Sequence, residues 1–331
     1  MNLLQFTLAD HERRVGLVES STVVRELVGW RSTYDLAREA IATGCGLVEL
    51  AKSAAHGPAH EYATIADSGR LLLPLDHPDP AHCLVTGTGL THLGSAQTRH
   101  EMHARIAGEE AALSDSMKIF RWGVARGKPA DGTPPVQPEW FYKGDGDWLT
   151  RPGAHLERPA FADDGGEEAE IVGLYLIAGN GTPCRVGFAL GNEFSDHVME
   201  RRNYLYLAHS KLRTSSFGPT LWVGELPTAI TGRARLLRDG TEIWADHFHT
   251  GEENMSYRIA GLEHHHFKYR AFRRPGDVHC HYFGTSLLSF AGGVQARDDD
   301  VFEISAPPFI HPLRNPVRHA APEPPLNLRA L

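Results

Sequence analysis

The stretch Glu168-Ala-Glu170-IVGLYLIAG-Asn180-Gly181-TPCRVGFALG-Asn192-Glu193-Phe-Ser195-Asp196-His197 decides the reading of this chain. Residues 170–178 are β-branched, aromatic and aliphatic, and Arg185–Leu190 is a second run of the same kind. Each is therefore expected to be a strand. Between them Gly179-Asn180-Gly181-Thr182-Pro183 supplies the glycine, asparagine and proline of a tight connection. The result is a β-hairpin centred near residue 181. Opposed residues of an antiparallel pair have numbers of constant sum, here about 362, which sets Glu170 against position 192 or 193. Glu168 and Glu170 are two apart and leave the same strand face. Three carboxylates, Glu168, Glu170 and Glu193, would then meet at the open end of one hairpin.

Such a cluster repels itself and favours a cation. Its ligands are hard oxygens, which suit Mg²⁺, with Mn²⁺ or Ca²⁺ as alternatives, rather than zinc. Glu-x-Glu by itself is common on solvated strand ends. The hairpin closure that brings in Glu193 is what favours the metal reading.

The 331 residues carry 41% hydrophobic content, enough for a substantial core in one large or two unequal domains. The net charge of −8, with both signs mixed along the chain, gives no reason to expect a nucleic-acid or membrane partner. The first residues lack a basic segment followed by an apolar run, and no apolar stretch reaches a membrane span. Cys45, Cys83, Cys184 and Cys280 are scattered, as expected of reduced thiols in a cytoplasmic protein.

Residues 1–75 are read as a small α+β cap. Short strands over 2–29 precede a helix capped by Ser32-Thr-Tyr-Asp35, which breaks near Gly44 and Gly46. Residues 70–80 are read as a strand and a proline-rich crossing into a main domain of residues 76–314. Gly87-Thr-Gly89 invites a dinucleotide reading, but its third glycine is misplaced and no alternating strand–helix pattern follows. Residues 96–118 are expected to be helical and 123–137 a mobile loop over the site. Ser195 is expected to cap a helix running to Ala208. Strands follow at 220–225 and 234–246, the latter turning at Asp239-Gly240. His264-His265-His266 is read on a strand, where neighbours face opposite ways and rarely share an ion. Residues 315–331 read as a proline-rich extended arm.

Several elements together resemble the fumarylacetoacetate hydrolase superfamily. These are Glu168-x-Glu170 leading a strand, Asn192-Glu193-Phe-Ser195-Asp196, Lys211 with Gly218-Pro219, and Pro138-Glu-Trp-Phe141-Tyr-Lys143-Gly144. Pro275-Gly276-Asp277-Val278 and Gly284-Thr285 complete the set, which spans roughly residues 85 to 315. The resemblance implies an α+β, mostly β fold: a mixed β-roll or sandwich with a small N-terminal domain, paired as a homodimer. It implies that Lys143 points into the metal site and that Gly284 and Thr285, with Ser195, serve the substrate. It also sets His92 where hydrolases of the family carry the histidine of a His-x-x-Glu pair, with Ser95 in place of the glutamate. A histidine without its orienting carboxylate is a weaker base, which counts against carbon–carbon hydrolysis.

A divalent ion on three carboxylates keeps about three positions of an octahedron open. An α-keto acid fills two of them, and the ion stabilises the enolate left when the C3 proton departs. With a hydroxyl at C4 the outcome is dehydration; with a carbonyl there, cleavage. Glutamate at 193 resembles the sugar-acid dehydratase branch, which implies conversion of a 2-keto-3-deoxy-pentonate to 2-oxoglutarate semialdehyde. The expected roles are Glu168, Glu170 and Glu193 on Mg²⁺, and Lys143 and Lys211 in proton transfer and leaving-group stabilisation. Thr285 is expected on the substrate carboxylate, and His92 is a weaker candidate for assisting the hydroxyl. A hydrolase or decarboxylase of acylpyruvates, and a non-catalytic keto-acid binder, are the alternatives.

Overall fold

The computed structural model describes residues 1–94 and 114–331. Ser95 and residues 96–113 of the expected helix lie outside the described residues, while its end is present as helix Asp115–Arg126.

The N-terminal unit is an antiparallel meander of β1 (Asn2–Thr7), β2 (Arg13–Val18), β3 (Val23–Leu27) and β4 (His56–Glu61), with α1 (Thr33–Thr43), α2 (Leu47–Ser53) and α3 (Tyr62–Asp67). The Ser32 hydroxyl accepts the Asp35 amide at 3.0 Å and so caps α1. Gly44, at φ 68°, ends it in the left-handed conformation that glycine tolerates. Residues 70–80 do not form the expected strand. Only an isolated bridge joins Leu71 to Phe6, since Pro74, Pro78 and Pro80 remove the donors a ladder needs.

The rest of the chain gives β5 (Cys83–Gly87), α4 (Asp115–Arg126), β6 (Phe141–Asp145), β7 (Leu149–Thr150), β8 (Leu156–Arg158), β9 (Ala169–Ile177) and β10 (Pro183–Asn192). Next come α5 (His197–Arg202), α6 (Leu207–Lys211), β11 (Ser215–Phe217), β12 (Leu221–Trp222), β13 (Ile230–Arg238) and β14 (Thr241–Thr250). The chain ends with α7 (Ile259–Phe267), β15 (Val278–Tyr282), β16 (Val301–Ser305) and β17 (Leu313–His319). A 12-stranded mixed sheet runs β4-β3-β2-β1-β12-β10-β9-β15-β5-β6, with β11 pairing off β10 and β7 off β11, and a 5-stranded sheet runs β14-β13-β16-β17-β8. Because β1 pairs with β12, the N-terminal meander continues the main sheet.

Every residue of β9 is buried, and the strand serves two cores at once. Its even positions Val172, Leu174 and Leu176 pack with Leu36, Ala37 and Tyr282. Its odd positions Ala169 and Ile171 pack with Phe188, Leu190, Ala234, Phe248 and Ile304 beneath the second sheet. Full burial of each aliphatic side chain contributes about 1.5–3 kcal/mol, so the hairpin is firmly held. The even face continues past the apolar run into Glu170 and Glu168.

Several sequence expectations shift. Glu170 pairs with Gly191, not position 192 or 193, because the turn closes around Ala178–Thr182 and a bulge at Arg185/Gly187 changes the register. Residues 123–126 form the last turn of α4 rather than the start of a loop. Asp196, not Ser195, caps α5, its carboxylate accepting the Met199 amide at 2.9 Å. That helix stops at Arg202, because Asn203 is extended (φ −161°), and resumes as α6. His264, His265 and His266 lie on α7, not on a strand. The apolar Ile259 and Leu262 bury at helical spacing there. Position 315 falls inside β17, so residues 315–319 belong to the second sheet, and no regular element follows them.

Beneath α7, His281 and His279 of β15 are buried; His281 Nδ1 lies 2.8 Å from the Thr86 hydroxyl, and His279 Nδ1 lies 2.9 Å from His266 Nε2. Burial pushes His281 down from 6.5 to about 3 and His279 to about 4. Depressed imidazoles favour the fold while neutral. Their contribution is whole above the unfolded value and is lost as pH falls from 6.5 toward 4, by up to about 1.4 kcal/mol per pH unit for each group. Replacement His281→Leu should flatten the pH dependence of unfolding free energy between pH 4.5 and 6.5 by close to one proton. Parallel curves for the two proteins in urea titrations would contradict this account.

Candidate metal centre

Glu168 immediately precedes β9, Glu170 is its second residue, and Glu193 immediately follows β10. The Glu193 amide donates to the Glu168 carbonyl at 3.0 Å, extending the hairpin one step beyond its ladder. This extension makes Glu168, rather than Glu170, the residue across from Glu193. All three side chains are buried, and one oxygen from each lies within 4.8 Å of the others. Gly191, paired with Glu170, leaves room for Val172 and Tyr282 to pack beside the hairpin, since a Cβ there would meet Val172 Cγ2 at 2.4 Å and Tyr282 Cε1 at 2.7 Å.

Two buried ammonium groups stand against this cluster. Lys143, central in β6, donates to Glu193 Oε1 at 2.5 Å and to the carbonyls of Phe194 and Lys211 at 2.9 and 3.0 Å. Lys211, the last residue of α6, donates to Glu168 Oε1, to Glu193 Oε2 at 2.7 Å and to the Ser195 hydroxyl at 3.1 Å. Glu200 lies 3.7 Å from the same ammonium, and the Phe141 ring lies 5.0 Å away. The two lysines are thus unequal. Burial lowers Lys143, and the single contact with Glu193 does not offset it. Burial also opposes the Lys211 charge, but Glu168, Glu193 and Glu200 overcome it and raise the group well above its ordinary value.

The carboxylates divide in the same way. Burial raises Glu168, yet Lys211 and His197 hold it well below the ordinary range. Glu170 receives one hydrogen bond, from the Gly284 amide to Oε2 at 2.7 Å, while its Oε1 is buried with no partner among the described residues. Burial first, then the charges of Glu193 and Glu168, push the Glu170 carboxyl well above its usual value. The chain therefore leaves one buried carboxylate uncompensated among hard oxygen donors. A divalent cation of the Mg²⁺ type would fit that deficit, and Glu168, Glu170 and Glu193 are the residues that could hold it.

The other expected residues fall as follows. The Ser195 hydroxyl donates to Glu193 and accepts from Lys211, joining the centre. Gly284, at φ 98°, presents its amide to Glu170, and a Cβ there would strike Thr91 Oγ1 at 2.3 Å. The Thr285 hydroxyl binds the Ala169 carbonyl at 2.9 Å, tying its loop to β9. His92 is buried between the hydroxyls of Thr91 and Thr250, 3.0 and 2.8 Å from its two ring nitrogens, and burial pushes it down to about 3. Sequence reasoning missed His197, Asp164 and Glu200. His197 Nε2 lies 3.2 Å from Glu168 Oε1, and Nδ1 lies 3.6 Å from Asp164. Its position two residues after Ser195, inside the motif already singled out, was the available signal.

No family profile matches the chain, and no curated protein matches it in sequence. Solved structures do match in fold. An apo form of 2-keto-3-deoxy-D-arabinonate dehydratase superposes with a TM-score of 0.71 at 16% identity, covering 97% of this chain and 100% of its own. The same enzyme complexed with magnesium and 2,5-dioxopentanoate gives 0.69 at 16% identity, with 97% and 99% covered. A 5-carboxymethyl-2-hydroxymuconate delta-isomerase from Mycobacterium smegmatis gives 0.57 at 17% identity, covering 97% and 100%. No helix among the described residues is long and apolar enough to cross a membrane. At 16–17% identity these likenesses are likenesses of fold: the chain has the fumarylacetoacetate hydrolase-like fold.

Proposed function

We propose that the protein is an enzyme, a Mg²⁺-dependent hydro-lyase that removes water from a 2-keto-3-deoxy-pentonate, giving 2-oxoglutarate semialdehyde. The observation that carries this reading is the buried Glu168–Glu170–Glu193 cluster with one carboxylate left uncompensated beside two ammonium groups. A bound divalent ion supplies a Lewis acid for the carboxylate and keto oxygens of a 2-keto acid and so acidifies the C3 hydrogen.

The remaining chemistry belongs to the side chains. Lys143 faces one carboxylate and Lys211 three, so Lys143 exchanges its proton more readily and is assigned the C3 proton. Lys211 stays charged, holds Glu168 and Glu193 in place, and is assigned to stabilise the departing C4 hydroxyl. The C3 proton and the C4 hydroxyl leave as one water, and proton shifts within the product carry the C5 alcohol to the aldehyde. Exclusion of water around these buried groups strengthens each of these interactions.

Two outcomes follow. Replacement Glu170→Gln removes a buried carboxyl whose withdrawal from water beside Glu193 and Glu168 costs stability, so the metal-free variant should unfold at higher temperature than the parent. Mg²⁺ at a hundredfold above its Kd should stabilise the parent by about 2.7 kcal/mol and leave the variant nearly unchanged. A parent indifferent to Mg²⁺ in thermal unfolding would overturn the metal assignment. In the catalytic assay, semialdehyde should form from one enantiomer of 2-keto-3-deoxy-pentonate, with Lys143→Met lowering kcat by about 10²-fold or more. Cleavage of acylpyruvate without semialdehyde formation would replace the dehydratase with a hydrolase.

A further inference from the structure

His197 is buried and wedged among fixed groups. A Cβ on Gly166 would lie 2.7 Å from its Nδ1, so that glycine alone makes room for the ring. Gly166 is itself clamped to Ser195 by two backbone hydrogen bonds of 3.0 Å. On another side the Phe290 ring lies 5.4 Å away, with the Arg201 guanidinium 5.2 Å from the Phe290 ring. The imidazole therefore has one orientation. Nε2 points at Glu168 Oε1 within hydrogen-bond distance, and Nδ1 lies 3.6 Å from the Asp164 carboxylate, an ion-pair contact rather than a hydrogen bond.

Glu168 Oε1 is also the oxygen that Lys211 contacts. Both cationic partners thus occupy the same oxygen, and Oε2 makes no hydrogen bond among the described residues. A carboxylate pinned through one oxygen by two donors has its rotamer fixed and presents the other oxygen outward. Donors that fix the orientation of a metal ligand typically govern affinity by 10–100-fold.

We propose that His197, braced by Asp164, is a positioning residue that locks Glu168 through Oε1 and leaves Oε2 to face the cation. The role rests on the metal reading above. It assigns a duty to a histidine that is neither a ligand nor a group touching substrate.

The test is calorimetric titration of Mg²⁺ into the full-length protein without keto acid, for the parent, His197→Leu, His197→Gln and Asp164→Asn. Leucine fills the space but offers no donor, and should weaken Mg²⁺ binding about tenfold or more. Glutamine keeps an N–H for Glu168 and should stay within about threefold of the parent. A folded His197→Leu that binds like the parent overturns the proposal. So does a His197→Gln as weak as His197→Leu, because the ring would then act by shape alone. Should His197→Leu fail to fold, Asp164→Asn decides: weakened binding supports the brace, and unchanged binding overturns it. A parent that takes up no Mg²⁺ defeats the metal reading and the positioning role together, whereas a parent that binds normally beside an unaffected His197→Leu defeats only the latter.

Discussion

Burying like charges together is the constraint on which the rest of this structure depends. Glu168, Glu170 and Glu193 are all withdrawn from water, and desolvation raises each carboxyl before any neighbour acts. The fold answers with Lys143, Lys211 and His197, drawn from β6, α6 and α5. Each of these cations is buried too, and would be strongly destabilising without its carboxylate. The compensation is uneven. Glu168 and Glu193 are each gripped by ammonium, while Glu170 has only the Gly284 amide.

The surrounding architecture keeps that arrangement rigid. The β9–β10 hairpin lies between two apolar cores, and its even face changes from aliphatic to acidic as it reaches the sheet margin. The loop after β15 is laced to the acidic segment at successive points. Gly284 binds Glu170, Thr285 binds Ala169, and the Ser289 amide binds Glu167 at 2.8 Å. Burial raises the Glu167 carboxyl to about 7, even with Ser289 opposing the shift. Phe290 then packs beside His197, so the same loop also touches the histidine that contacts Glu168.

Much of the site was legible because it is built on strand periodicity. The two-residue spacing of Glu168 and Glu170, and the turn residues between the strands, suffice to bring Glu193 near them. The register was off because neither the bulge at Arg185/Gly187 nor the true turn centre leaves a compositional mark. Lys143 and Lys211 required the family resemblance, since a lysine at a strand or helix end is ordinarily solvated. His197 was hidden for a different reason. Its partners Asp164 and Glu168 lie some thirty residues earlier in the chain, and only the folded loop before β9 brings them together. The histidine run at 264–266 misled over local structure, because three imidazoles give no periodicity by which to tell helix from strand.

The central claim, that a divalent cation belongs among Glu168, Glu170 and Glu193, is tested most directly by anomalous diffraction from crystals soaked in Mn²⁺. The account predicts a peak bounded by oxygens of these three side chains, at a position reached by Glu170 Oε1. An occupied site elsewhere in the chain, with this cluster showing only the Lys143 and Lys211 contacts, would contradict it.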